Sequence, residues 1–355
     1  MREQKKYLII YHKEDNDGVF SGALFYDYLI NRMGCKLEDL CFIGADYNTL
    51  AKFAKENTVE DLHRDFENII ITDVSFNDVS YMKKLWKEFG NNFIWCDHHA
   101  PIIKASFENH FDDVPGIRDT NRSAILNVWK FLYDQFDEAY NKKEVPELLR
   151  ILSGWDSWSY EREGYEFEYV RNINKAVTIR YGLELGKVRP LVHDLYMVYV
   201  EHQASEGRLQ PLMKDSVLIN ELYDEGKKLN DYDDQVMKDI IEKSGDCSWQ
   251  LAIYDEDKGR FLYRKCCALF HQGQSNSTFF KSLKGRDIRN GLVFKHQPDG
   301  NWTLSIYNIE DDDWFHCGEF MKKAFNGGGH KGAAGCTLTE AQFVKLLKSK
   351  TLFDK

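Results

Sequence analysis

Three apolar runs in this chain end in residues that bind cations or move protons. Tyr7-Leu-Ile-Ile-Tyr-His12 leads into Lys-Glu-Asp15-Asn-Asp17-Gly18, Asn68-Ile-Ile-Ile-Thr72 ends at Asp73, and Phe93-Ile-Trp-Cys96 ends at Asp97-His98-His99. Acids two apart in a loop, with an imidazole shortly before them, converge on neighbouring cations when the loop curls. Two adjacent histidines after an aspartate at a strand end are uncommon, and neutral imidazole is a favoured ligand. Brought into one pocket, these groups would repel one another or be desolvated at high cost unless cations sat among them. Each piece alone has a plainer explanation. An acidic loop is usually a solvated surface, and Asp73 serves equally well as a helix cap, as do Ser75 and Asn77. Co-occurrence at successive strand ends favours a metal-centred enzyme.

The elements that must position these residues follow the α/β pattern. Strands are expected near Tyr7 to Tyr11, Leu40 to Ala45, Asn68 to Thr72 and Phe93 to Cys96, with helices near Val19 to Arg32, Val79 to Phe89 and Ser123 to Phe136. Such alternation predicts a doubly wound, mainly parallel sheet. In that fold the carboxyl ends of the strands open into one crevice, so chain-distant residues share a pocket. A helical stretch runs to Leu152 and ends at Ser153-Gly-Trp155-Asp156-Ser-Trp158; residues 166 to 212 read as further helix. Leu218 to Lys243 is polar with apolar residues at helical spacing, which suits a helix joining two domains. From Trp249 the pattern becomes short strands, at Leu251 to Tyr254, Gly291 to His296 and Trp302 to Tyr307, with Pro298-Asp-Gly300 as a hairpin turn. A helix near Gly318 to Phe325 precedes Asn326-Gly-Gly-Gly329-His330-Lys331-Gly-Ala-Ala-Gly335. The expected organisation is a metal-binding catalytic domain over 1–215, a helical linker over 216–245 and a smaller α+β substrate-binding domain over 246–355.

A chain of 355 residues exceeds one typical core and fits two domains. A net charge of −10 argues against a general binder of long nucleic acids, which needs a positive track to displace counterions. The average conceals a basic segment between Gly259 and Pro298, with Arg260, Arg264, Lys265, Lys281, Lys284, Arg286, Arg289 and Lys295 against the single acid Asp287. The eight cysteines include no Cys-x-x-Cys pair and read as reduced thiols. No apolar run is long enough to cross a bilayer, and the start runs straight into a strand, so a cytoplasmic protein with no membrane partner is expected.

In this order, His12, Asp15, Asp17, Asp73 and Asp97-His98-His99, together with Gly327-Gly-Gly-His330 and Ala333-Ala-Gly335 far downstream, resemble the DHH phosphoesterase family, of the nanoRNase and RecJ-like superfamily. The resemblance spans most of the chain. It implies two divalent ions, usually manganese, with magnesium or cobalt as substitutes. His12, Asp15 and Asp73 would hold one ion, and Asp17, Asp73, His98 and Asp156 the other. Asp97 would orient the histidine pair and His99 would face the scissile phosphate. Mixed imidazole, carboxylate and water ligation independently suits manganese better than zinc or calcium. One departure from the family concerns register: Asp15 and Asp17 fall three and five residues after His12, where four and six are usual, so Glu14 competes with Asp15 for the first ion.

The resemblance also implies that Gly328, Gly329 and His330 hold the far end of the substrate, and a triple glycine beside Lys331 lets backbone amides turn toward an anion. Tyr307-Asn308 stands where relatives that cleave short oligonucleotides are expected to carry an arginine, leaving Arg264, Lys281 or Arg286 to compensate. Arg122 precedes a helix and either touches phosphate or forms a surface ion pair. Trp155 and Trp158 flank Asp156 and either stack on a base or pack in the core. The function expected is manganese-dependent hydrolysis of short oligonucleotides or linear dinucleotides to nucleoside monophosphates. A single-strand-specific DNA exonuclease, a hydrolase of bisphosphate nucleotides or pyrophosphate, and a catalytically silent nucleotide-binding protein are the alternatives. Oligomeric state is left open by the sequence.

Overall fold

The computed structural model describes residues 5–135, 145–204, 210–273, 275–309, 314–329 and 331–354. Two units divide at Leu229 and Asn230. The first is built on strands β1 (Lys5–His12), β2 (Leu40–Ala45), β3 (Phe66–Thr72) and β4 (Phe93–Cys96), all parallel, in the order β2-β1-β3-β4. Helices α1 (Asn16–Asp27), α2 (Tyr47–Glu56), α3 (Val59–Asp65), α4 (Val79–Phe89) and α5 (Ala100–Glu108) lie between or after the strands. Then come α6 (Ala124–Lys130), α7 (Glu147–Asp156), α8 (Phe167–Tyr181), α9 (Leu185–Ala204) and α10 (Gln210–Ser244), the last running across the division between units.

The sheet is buried on both faces, as parallel sheets are. Ile9, Ile70 and Cys96 pack with residues of α1 and of α6 to α9. Their neighbours Leu8, Ile10, Ile69, Ile71, Phe93 and Trp95 face the other way, into a cluster with Leu50 of α2, Leu62 of α3, Met82 and Leu85 of α4, and Ile102 and Ile103 of α5. The α/β class expected from the sequence is what the structure has.

Several details differ. Helix α1 begins at Asn16 rather than Val19, so the expected acidic loop is a helix start. It passes into a π-helical turn at Tyr28–Arg32, and α6 does the same at Phe131–Gln135; Phe136 lies outside the described residues. Helices α2, α3 and α5 were not anticipated. The cap of α4 is Asp78, which accepts from the amides of Ser80 and Tyr81, and not Asp73, Ser75 or Asn77.

The second unit carries a seven-stranded mixed sheet ordered β11-β5-β6-β7-β8-β10-β9. Its strands are β5 (Asp246–Asp255), β6 (Arg260–Phe270), β7 (Asn290–His296), β8 (Trp302–Asn308), β9 (Gly328–Gly329), β10 (Ala333–Leu338) and β11 (Thr351–Phe353), with helices α11 (Cys317–Phe325) and α12 (Glu340–Ser349). Cys266 and Ala268 face the cluster built with α11 and α12, while Cys267 and Leu269 face one built with Met237 and Ile241 of α10. Cover on both faces removes the alternation that announces a strand, which is why β6 escapes a sequence reading. Among the described residues no helix is long and apolar enough to cross a membrane. The eight cysteines are free thiols, with Cys247 exposed.

Candidate metal centre

Strand order places the switch point between β1 and β3, whose neighbours β2 and β4 lie on opposite sides. Open α/β sheets bind ligands outside the carboxyl ends of such a pair. His12 is the last residue of β1, Asp73 follows β3, and Asp97, His98 and His99 follow β4. Asp15 caps α1: its Oδ1 accepts from the Gly18 amide at 2.9 Å, leaving Oδ2 2.9 Å from His12 Nδ1. Asp17, in the first turn, is buried and accepts from two amides at the start of α6, Ala124 N on Oδ2 and Ile125 N on Oδ1, each at 2.8 Å. Gly18 is required where α1 crosses β1, because a Cβ there would fall 2.2 Å from the His12 carbonyl oxygen. Asp156 closes α7.

Three overlapping groups result, each with ligand atoms within 4.8 Å of one another: His12, Asp15 and Asp73; Asp17, His98 and Asp156; and Asp73, His98 and His99. Asp73 and His98 together link them: Asp73 Oδ2 lies 3.5 Å from His12 Nδ1 and Asp73 Oδ1 3.3 Å from His98 Nε2. His98 Nε2 is also 3.6 Å from Asp17 Oδ2 and 3.3 Å from Asp156 Oδ2. Glu14 stays outside these groups, with its side chain 61 % exposed.

The donor set fits divalent cations. His12 Nδ1, both Asp73 oxygens and Asp156 Oδ2 are buried without a hydrogen-bond partner, although ligand-type atoms surround them. Buried polar atoms left in this state are rare and call for an explanation such as an ion. Asp73 also holds a left-handed backbone, φ 56°, which a non-glycine residue adopts at a cost and which recurs at functional sites. Burial, then the charges of Asp17 and Asp15, raise the Asp73 carboxyl well above the usual range, and burial with Asp17 and Asp73 does the same to Asp156. Burial alone would lower His12, but Asp15 and Asp73 outweigh it and raise the imidazole to about 11. Without cations, protons are what hold the acids together.

Asp97 is fully buried and accepts four hydrogen bonds. Oδ2 accepts from Trp95 Nε1 at 3.1 Å; Oδ1 accepts from the amides of His98 and His99 at 2.7 and 3.1 Å and from His99 Nδ1 at 2.7 Å. It therefore orients the ring of His99 but only the backbone of His98, whose ring faces Asp17, Asp73 and Asp156. Four donors converge on one carboxylate, and an asparagine there would set its own NH₂ against one of them. Asp97→Asn is expected to destabilise the fold by about 2–3 kcal/mol, the scale of a hydrogen bond to a charged group, measurable by urea denaturation. Unchanged stability would contradict this assignment.

The other sequence-predicted residues are placed less tightly. Arg122 Nε lies 3.4 Å from Asp119 Oδ2 and is a surface ion pair. Gly328 and Gly329 form β9, and a Cβ on Gly329 (φ 146°) would meet Ala334 Cα at 2.4 Å, so pairing with β10 demands that glycine; Gly328 is exposed with open space around it. His330 lies outside the described residues. Lys331 is exposed and its carbonyl accepts from the Cys317 amide at 3.0 Å. Of the three compensating cations considered, Arg264 is the one beside Asn308: Nη2 donates to Asn308 Oδ1 at 3.3 Å and Nε to Asn290 Oδ1 at 2.9 Å, and the guanidinium lies over Trp314 and Phe315. Lys281 pairs with Asp234 at 3.2 Å, and Arg286 is exposed. Sequence reasoning missed Tyr47, whose ring lies 6.3 Å from that of His12 and 6.4 Å from that of His99. Tyr47 follows the acid Asp46 at the end of β2, but only its spatial neighbours set it apart from a core aromatic.

The first unit is thus an open parallel α/β fold with an imidazole and carboxylate cluster at its switch point, and the second is an α+β unit on a mixed sheet. No family model and no curated protein matches the chain. Among solved structures, it is similar to the pGpG-specific phosphodiesterase PggH from Vibrio cholerae at 14 % identity and a TM-score of 0.47, covering 97 % of each chain. It is similar to an exopolyphosphatase-related protein from Bacteroides fragilis at 14 % identity and a TM-score of 0.45, over 98 % of this chain and 92 % of that one. A manganese-bound exonuclease RecJ gives 12 % identity and a TM-score of 0.43, over 99 % and 90 %.

Proposed function

We propose that this chain is a manganese-dependent phosphodiesterase that hydrolyses short oligonucleotides or linear dinucleotides to nucleoside monophosphates. The observation that supports it most is the run of three overlapping donor groups joined through Asp73 and His98, with four buried atoms that lack hydrogen-bond partners. His12, Asp15 and Asp73 would hold one ion; Asp17, Asp73, His98 and Asp156 would hold the second. Divalent ions bound in this way supply water activation and neutralise phosphoryl charge. Asp17 is held in place by the two α6 amides that donate to its carboxylate oxygens. His99, clamped through Nδ1 by Asp97, has Nε2 left to contact the phosphate or the leaving oxygen. Gly328, Gly329, His330 and Lys331 are the proposed substrate contacts of the second unit.

Trp158 supports a nucleotide over a bare phosphate compound. It lies two residues beyond Asp156, is 59 % exposed, and holds a left-handed backbone at φ 52°, an outlier for so large a side chain. Its ring is near parallel to Trp155 at 6.0 Å and Phe167 at 5.9 Å, a rigid aromatic platform. Stacking on such a platform is worth about 1–3 kcal/mol per base. Trp158→Ala is therefore expected to raise KM for a dinucleotide by about tenfold or more while leaving any pyrophosphate hydrolysis unaltered. Equal KM values for variant and wild type in steady-state assays would remove Trp158 from the substrate site.

The experiment for the function is manganese-dependent hydrolysis of a labelled panel: a dinucleotide, five-residue RNA and DNA, a long single strand, adenosine 3′,5′-bisphosphate and pyrophosphate. Preference for the two- and five-residue substrates agrees with the proposal. Processive degradation of the long strand replaces it with an exonuclease, and activity confined to the last two compounds replaces it with a small-phosphate hydrolase.

A further inference from the structure

Three of the four parallel strands contribute to the candidate metal centre at their carboxyl ends; β2, beside β1, delivers Asp46 and Tyr47 to the same rim. Asp46 caps α2 through Oδ1, 2.7 Å from the Thr49 amide, and its Oδ2 lies 2.9 Å from Lys13 Nζ. The Lys13 amide donates to the Ala45 carbonyl at 3.2 Å, so the ends of β1 and β2 are laced together. Tyr47, the first residue of α2, is fixed in place by this lacing.

Core packing does not account for Tyr47. The residue is 37 % exposed, and its ring neighbours are polar: tilted against His12 and edge-on to His99 at 87°. Its hydroxyl makes no hydrogen bond to any described residue. A phosphate seated at the cluster would bring non-bridging oxygens that need donors, and an oriented donor aimed at developing charge accelerates the step it faces.

We propose that Tyr47 is a further catalytic residue of this centre, donating a hydrogen bond from its hydroxyl to a non-bridging oxygen of the scissile phosphate. This rests on the phosphodiesterase reading above. In the hydrolysis itself the bond from water oxygen to phosphorus forms and the bond to the leaving oxygen breaks. The water proton passes to the leaving oxygen, and the phenol keeps its own proton throughout.

Tyr47→Phe removes the donor and nothing else. Three quantities should be compared with wild type: kcat and KM on a dinucleotide at saturating manganese, manganese affinity by titration calorimetry, and inhibition by orthovanadate. The expected result is a fall of about 10- to 100-fold in kcat. KM should stay within about twofold and manganese affinity unchanged, with vanadate binding weakened in step with kcat. Unchanged kcat overturns the inference, as does a loss of manganese affinity matching the loss of kcat, which would make Tyr47 a support of the cluster only. A wild-type protein that cleaves no phosphate ester overturns the phosphodiesterase reading and this inference with it, whereas an active wild type matched by Tyr47→Phe overturns this inference alone.

Discussion

Asp73→Asn is expected to remove manganese-dependent hydrolysis, with kcat/KM falling by at least about 10³-fold, or about 4 kcal/mol of transition-state stabilisation. Asp73 stands apart from the other acids because its two oxygens face two different donor groups, Oδ2 toward His12 and Oδ1 toward His98. Asparagine keeps the shape but leaves a neutral oxygen on one side and an NH₂ on the other, so at least one cation loses an anionic ligand and meets a donor in its place. The same exchange should spare the fold. It removes a fully buried acid crowded by Asp17 and Asp15, and burying an uncompensated charge costs more than burying an amide. The metal-free variant should therefore unfold in urea at a concentration no lower than metal-free wild type. Titration calorimetry and steady-state kinetics on one preparation provide the check. Binding of two manganese ions with turnover within tenfold of wild type would remove Asp73 from the centre of the site.

Strand ends were the most legible feature of the sequence. Leu40–Ala45 and Phe93–Cys96 can be read directly, because short apolar runs bounded by polar residues are what a sheet buried on both faces requires. The switch point follows from those strands, and it brings His12, Asp73 and His98 together. What the sequence hid depended on tertiary contacts. Asp15 and Asp17 read as a loop because an N-cap followed by a first-turn acid differs little from a solvated acidic run. Only the amides of Gly18, Ala124 and Ile125 distinguish the two, and the latter pair lie more than 100 residues downstream. The glycine run reads as an anion cradle, but the structure gives Gly329 a second reason to be glycine, its contact with Ala334. Tyr47 was overlooked because an aromatic after a strand usually belongs to the core. Its two imidazole neighbours come from other strands, so the evidence for its role is spatial alone.

The stabilising effect of manganese should grow as pH rises. In the metal-free cluster His12 is raised from 6.5 to about 11, so the stability it contributes is fully present below 6.5, its unfolded value, and is lost as pH climbs through its folded value. Asp73 and Asp156 act in the same sense, since each binds its proton more tightly folded than unfolded and each loses that advantage above the ordinary carboxylate range. Protons are thus competitors of the metal, and manganese binding must displace them. Thermal unfolding after chelation and again with excess manganese, between pH 6 and pH 9, measures the effect. The chelated protein should lose several degrees of Tm across this range, and the gap between loaded and chelated forms should widen steadily. Calorimetry in two buffers of different ionisation enthalpy should record proton release on binding throughout this range. Asp73→Asn should flatten the dependence by removing the group shared by both donor sets. A gap that narrowed with rising pH, or binding without proton release, would mean that the cations settle elsewhere.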